Sequence, residues 1–374
     1  KIMAHITRRG LSSLLLATVA AATFGFAAST GAALADGPKK VVFLVNGNLG
    51  DKSFFDLGAA GLKEIKAKYG DAVETKVIEM GTDQTKWMPT FEDVSEQDWD
   101  LIVSSTFEIS DIIGEVAPNH PDKTYVLVDG VVPYENGGYD NVYSVVFKQN
   151  EGSYLAGILA AGLLKDGTIP ADQGSSIGFL GGMDIPVIND FLTGYVEGAR
   201  SVNPDIKVAI SYAGSFNDAA KGKELALAQY RTGTAIGFNV AGLTGLGQLA
   251  AAKDVGKWAL GVNSDQEAIF KESDPAMAAK VATSMVKNID VSILRAYDLF
   301  LEGKLPTGKV EAIGLAENAV GLVETGNFVT LVPEALKKQI ADARAGIIDG
   351  SIKVTSAFGL ETDKLNALRD SVRP

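Results

Sequence analysis

A strand-like apolar run that breaks into a glycine-containing loop and restarts as a helix occurs twice in this 374-residue chain, and that repeat limits the fold more than any other feature. The first copy runs Val41-Val42-Phe43-Leu44-Val45, then Gly50-Asp51-Lys52-Ser53-Phe54-Phe55-Asp56, where helical spacing begins. The second runs Ile177-Gly178-Phe179-Leu180-Gly181-Gly182-Met183 and turns at Pro186 into the pattern Phe191, Gly194, Tyr195, Gly198. Loops of this kind present backbone N–H groups and side chains at the carboxyl edge of a sheet, where open α/β folds bind ligands. The two strand starts lie 177 − 41 = 136 residues apart, about the size of one α/β lobe. Two similar lobes facing a shared cleft are the expected architecture.

The βα rhythm continues on both sides of the second copy. Strands are predicted at Glu74–Met80, Leu101–Ser104, Tyr125–Val128 and Val142–Phe147, then at Ile177–Leu180, Val208–Tyr212, Ala235–Val240 and Trp258–Val262. Later candidates are Val281–Met285, Lys309–Ile313, Ala319–Val323 and Ile352–Ser356, with helices over 56–69, 186–202, 217–231, 244–253, 288–303 and 333–347. The segment Glu151–Leu164, rich in Gly and Ala, reads as a helix made for close packing. Two-lobed α/β chains cross between lobes more than once. On this reading residues 36–148 with about 266–303 form the first lobe, and 149–265 with about 304–374 the second.

Residues 1–35 have the form of a secretory signal: Arg8 and Arg9, an apolar stretch Leu11–Ala28, and Ala33-Leu34-Ala35 as a cleavage site. The prefix carries three of the 34 basic residues and no acid, so the mature balance is (34 − 3) − 46 = −15. That charge repels phosphate backbones and anionic lipid, which argues against nucleic acid as a partner. Beyond the signal no run of about 18 apolar residues occurs, so no membrane insertion of the mature chain is expected. The chain has no cysteine, hence no disulfide, thiolate metal site or lipid-bearing cysteine. A free periplasmic protein is the expectation.

Catalytic signatures are sparse. The only histidine after the signal is His120, in the turn-like Pro118-Asn119-His120-Pro121. No G-x-x-x-x-G-K-[ST] occurs, and Gly242-Leu243-Thr244-Gly245-Leu246-Gly247 has the wrong spacing for a dinucleotide loop. No metal-ligand cluster or cofactor fingerprint is found, so no cofactor is assigned. Carboxylates such as Asp51, Asp56 and Asp129 leave open an exported α/β hydrolase acting on nucleosides or glycosides.

Several motifs in a fixed order carry a resemblance. They are Asp51-Lys52-Ser53-Phe54, Glu151-Gly152-Ser153-Tyr154-Leu155-Ala156-Gly157, Gly178-Phe179-Leu180-Gly181-Gly182-Met183, Tyr212-Ala213-Gly214-Ser215-Phe216, Val240-Ala241-Gly242-Leu243-Thr244-Gly245, Gly261-Val262-Asn263-Ser264-Asp265-Gln266 and Thr283-Ser284-Met285-Val286-Lys287. Together they resemble the basic membrane protein family of ABC-transporter solute-binding proteins, several of which recognise purine nucleosides. The resemblance implies a type I periplasmic-binding-protein fold, two Rossmann-like α/β lobes closing on a ligand at the interlobe cleft, and an inner-membrane ABC permease as partner. It implies that Phe54 and Phe216 sandwich a planar base, that Asp129 reads its N–H groups, and that Asp265, Gly242 and Lys287 meet the sugar. The chain departs from the family at Asn46 and Asn263, where acids are usual, and at Phe55, where Asn is usual. An amide keeps one acceptor, adds a donor and removes the charge. Trp87 and Phe107 are further aromatics expected near the cleft edge and would equally suit a sugar-like ring or another heterocycle. A sensor that signals to a membrane receptor would look the same.

Overall fold

The computed structural model describes residues 37–374, so the predicted signal at 1–35 lies outside the described residues. Its strands are β1 Lys39–Val45, β2 Val73–Glu79, β3 Leu101–Ser105, β4 Thr124–Val128, β5 Val142–Phe147, β6 Ser176–Gly181, β7 Lys207–Tyr212, β8 Thr234–Val240, β9 Trp258–Asn263, β10 Val281–Lys287, β11 Lys309–Ile313 and β12 Val320–Leu322. They build two six-stranded sheets, ordered β11-β5-β4-β3-β1-β2 and β12-β10-β9-β8-β6-β7. Every pairing is parallel except β10 with β12. Helices cover both faces of a parallel sheet, which is why its strands read as unbroken apolar runs rather than alternating ones. Val41 through Val45 are all fully buried. In each sheet the winding reverses beside the first strand of its half, β1 or β6, and such a reversal opens a crevice at the carboxyl ends.

The two halves share this order but not an uninterrupted stretch of chain. The chain passes to the second lobe after β5, returns after β10 and leaves again after β11. This corrects the expected lobe division after residue 265. Val281–Lys287, expected in the first lobe, pairs with β9 in the second sheet, because a short crossover from β9 simply continues the βαβ winding. Lys309–Ile313, expected in the second, is an edge strand on β5 of the first sheet. Only the helix Ile289–Leu301 from 266–303 joins the first lobe, where Tyr297 meets Tyr69 edge-on at 5.1 Å and Asp298 pairs with Lys68. The passing segments are bonded to one another: the Lys148 amide donates to Ile313 at 2.8 Å and the Asn288 amide to Ala319 at 2.9 Å.

Ile352–Ser356 forms no strand. Side chains meet part of its backbone instead: Glu197 accepts from the Thr355 amide, and the Asn150 side-chain amide donates to the carbonyls of Val354 and Thr355, while the Ile352 amide donates to the Gly346 carbonyl. The small residues of the helix Gln149–Lys165 act as expected. Gly157 faces the backbone of Tyr195, and Gly194 and Gly198 of the helix Pro186–Val202 face the backbones of Asn150 and Tyr154, so a Cβ at any of these positions would force the helices apart.

Candidate functional site

A cleft of about 860 Å³, its open mouth included, lies between the carboxyl ends of the two sheets. From the first lobe come Asn46 after β1, Thr106, Phe107 and Glu108 after β3, Asp129 after β4, and Asp51, Phe54 and Phe55 from the loop and helix after β1. From the second come Phe216, Gly242, Asn263 and Lys287, with an aliphatic wall at Ile185, Val187 and Ile188. Three strand-end residues there, Thr106, Asp129 and Asn263, hold left-handed backbones (φ 76°, 64° and 63°). Strain of this kind in non-glycine residues gathers where side chains must be aimed at a ligand.

Each aromatic is set by its local sequence. Asp51 starts the helix Phe54–Tyr69 by accepting the amides of Ser53, Phe55 and Asp56, which brings Phe54 and Phe55 into the first helical turn. Burial pushes the Asp51 carboxyl up, against the pull of the Phe55, Asp56 and Ser53 amides. The rings of Phe54 and Phe55 meet edge-on at 5.6 Å. On the other side Phe216 rests against Gly182, where a Cβ would collide with its ring. Its carbonyl accepts the Thr244 amide at 3.0 Å, and Thr244 Oγ1 donates to Ser215 at 2.9 Å, tying the loop to the helix Leu243–Val255. Gly242 precedes that helix at φ 56°, a conformation that favours glycine.

The polar groups are unevenly matched. Lys287 is an almost fully buried ammonium that donates to Asp129 at 2.5 Å, so the ends of β10 and β4 are joined by an ion pair across the cleft. The rings of Phe147, Phe191 and Phe54 stand 4.9, 5.5 and 5.6 Å from the same nitrogen, a cation–π environment for a charge removed from water. Asn46 donates to Thr106 at 2.8 Å and to Glu108 at 3.2 Å, while Asn263 donates to Ser53 at 2.9 Å. Both amide oxygens are buried and unpartnered. Each lobe thus holds one buried amide oxygen with no partner among the described residues. Burial also raises the Glu108 carboxyl above its ordinary range.

Two expected positions fall elsewhere. Trp87 is 4% exposed, packed in the first-lobe core with its indole N–H on Gly81, because the helix Trp87–Glu96 turns that face inward. Asp265 caps the short helix Gln266–Phe270 by accepting the Ala268 amide and does not line the cleft. His120 likewise lies outside it, beside Glu92. The other positions singled out, Asn46, Asp51, Phe54, Phe55, Asp129, Phe216, Gly242, Asn263, Lys287 and Phe107, line one cleft. Sequence reasoning missed Thr106, Glu108, Phe191, Asn217 and the aliphatic wall. Glu108 had a usable signal, a carboxylate directly after an apolar strand and beside Phe107.

The family model described as ABC transporter substrate-binding protein PnrA-like matches residues 38–356. An ABC transporter nucleoside-binding protein, BmpA, of Lactococcus lactis is 33% identical over 320 residues, covering 82% of this chain and 86% of its own. Basic membrane protein A of Borreliella burgdorferi is 29% identical over 85% of this chain and 88% of its own. Among solved structures, an ABC transporter solute-binding protein from Aeropyrum pernix superposes with a TM-score of 0.77 at 24% identity, covering 89% of this chain and 98% of that one. That likeness is one of fold, the periplasmic-binding-protein arrangement of two lobes. With the cleft and the matched span together, the chain belongs to the PnrA-like family of ABC transporter substrate-binding proteins.

Proposed function

We propose that this protein is the exported, periplasmic receptor of an ABC importer and that its ligand is a purine nucleoside held between the lobes and passed to an inner-membrane permease. The observation that carries the reading is the pair Phe54 and Phe216, supplied by opposite lobes to one cleft. Stacking of a base on an aromatic side chain contributes roughly 1–3 kcal/mol per ring, and every purine offers two faces. The free oxygens of Asn46 and Asn263 suit hydroxyl or N–H donors at the ligand's edges. The nucleoside-binding relative from Lactococcus lactis supports the same class. Closure follows from contacts to both lobes, which favour the closed arrangement over the open one.

Isothermal calorimetry with adenosine, guanosine and inosine tests this, with D-ribose as the alternative sugar-like ligand. Saturable one-to-one heat with at least one nucleoside is expected; silence with all three rejects the ligand class. Mass spectrometry of the nucleoside after prolonged incubation separates a receptor, which returns it unchanged, from a hydrolase, which releases free base.

A further inference from the structure

The last helix, Thr362–Val372, lies beyond residue 356, where the family match ends, yet it reaches the wall of the cleft. Its Arg369 Nη2 approaches three acceptors: Asp184 Oδ1 at 2.5 Å, Asn189 Oδ1 at 2.8 Å and Tyr212 Oη at 2.9 Å. These form one network, since Tyr212 Oη donates to Asn189 Oδ1 at 2.6 Å and Asn189 Nδ2 donates to Asp184 Oδ1 at 2.9 Å. The guanidinium also stacks on the Tyr212 ring at 5.0 Å. Asp184 and Asn189 bracket Ile185, Val187 and Ile188, the aliphatic wall. A second tie lies one residue on, where buried Asp190 accepts Ser356 Oγ at 2.7 Å and the Ala357 amide at 2.8 Å.

We infer that Arg369 is a positioning residue for the ligand cleft: from a helix outside the span shared with the family, it fixes both ends of the Ile185–Ile188 wall. It touches no ligand; it sets the shape against which one packs. A planar guanidinium suits this role because its Nη2 meets this cluster of oxygens while its flat face lies on the Tyr212 ring, a stacking that a lysine ammonium cannot reproduce. The helix does not depend on Arg369 for its place, because Val372 is fully buried and Arg200 donates to Ser371 at 2.8 Å. The inference rests on reading this cleft as the ligand site.

The test compares wild type, Arg369→Ala, Arg369→Lys, Asp184→Ala and the double alanine variant, with Arg373→Ala as the control, since Arg373 pairs with exposed Asp370 at the surface. Hydrogen exchange of residues 183–191 in the ligand-free protein is read first, then affinity for guanosine, adenosine and inosine. Faster exchange in that segment is expected for Arg369→Ala and Asp184→Ala, with nucleoside affinity roughly tenfold weaker, an intermediate loss for Arg369→Lys, and a double variant no worse than the worse single one. Unchanged exchange overturns the inference. So does a lower melting temperature with exchange and affinity in the folded protein unaltered, which would mark a mere anchor. If wild type binds no nucleoside, the proposed ligand class fails, and the exchange result alone decides the role of Arg369.

Discussion

The two lobes repeat one winding but equip it differently. At its strand ends the first lobe gives the cleft three carboxylates, Asp51, Glu108 and Asp129, whereas the second gives no acid, one ammonium and an aliphatic wall. Each adds aromatic rings, Phe54, Phe55 and Phe107 from the first and Phe191 and Phe216 from the second, and a buried amide, so both can stack while they differ in charge. On the proposed reading, the first lobe supplies most of the charged hydrogen-bonding groups and the second most of the apolar wall. The buried Lys287–Asp129 ion pair is one place where they are held to a common register, and the Asn263–Ser53 bond is another.

That division can be broken most sharply at Lys287. Lys287→Met keeps much of the bulk but strands Asp129 without its cation, and removing one member of a buried pair costs about 3–5 kcal/mol. Urea unfolding of the ligand-free protein should show a loss of that order, most of it recovered when Asp129→Asn is added. A loss no larger than that of a surface lysine variant would show that the lobes are not joined there.

Stacking comes next, and here the lobes should behave alike. Phe54→Ala and Phe216→Ala are each expected to weaken nucleoside binding by roughly 1–3 kcal/mol in calorimetry. Both rings also pack against the hydrophobic core, so some loss of ligand-free stability accompanies each. An effect confined to one of the two would reduce the sandwich to a single platform.

Trp87 sharpens the boundary between site and support. Trp87→Phe removes the indole donor to Gly81 and should cost about 1 kcal/mol of stability with affinity unchanged. Altered affinity would return it to the cleft. The smallest expected effect concerns pH. Because the folded state raises the Glu108 carboxyl, its proton is held more tightly than in the unfolded chain. The resulting stabilisation is complete below the ordinary glutamate pKa of about 4.3 and fades as pH rises through the raised folded value. Melting curves of wild type and Glu108→Gln from about pH 4 to about pH 7 should therefore diverge in favour of the variant. Parallel curves would mean that Glu108 is not held in an unfavourable place.

Much of this was legible beforehand because buried parallel strands write themselves as apolar runs, and Val142–Phe147 has the bounds expected; Lys309–Ile313 has them too, although it is a mostly exposed edge strand. Lobe membership was not, since nothing local in Val281–Lys287 says which sheet it joins; the parallel pairing with β9 decides that. Within the site, the loop aromatics announced themselves by position after a strand. Asp265 misled because an acid before a helix serves as an N-cap as readily as a ligand contact, and its side chain takes the Ala268 amide. Thr106 and Glu108 enter the cleft through a backbone reversal at φ 76°, which composition does not disclose.

The triple passage of the chain between lobes has a mechanical consequence. Side-by-side straps are laced together through Lys148 with Ile313 and Asn288 with Ala319. A nick in any single strap would leave two others to tether the jaws to each other.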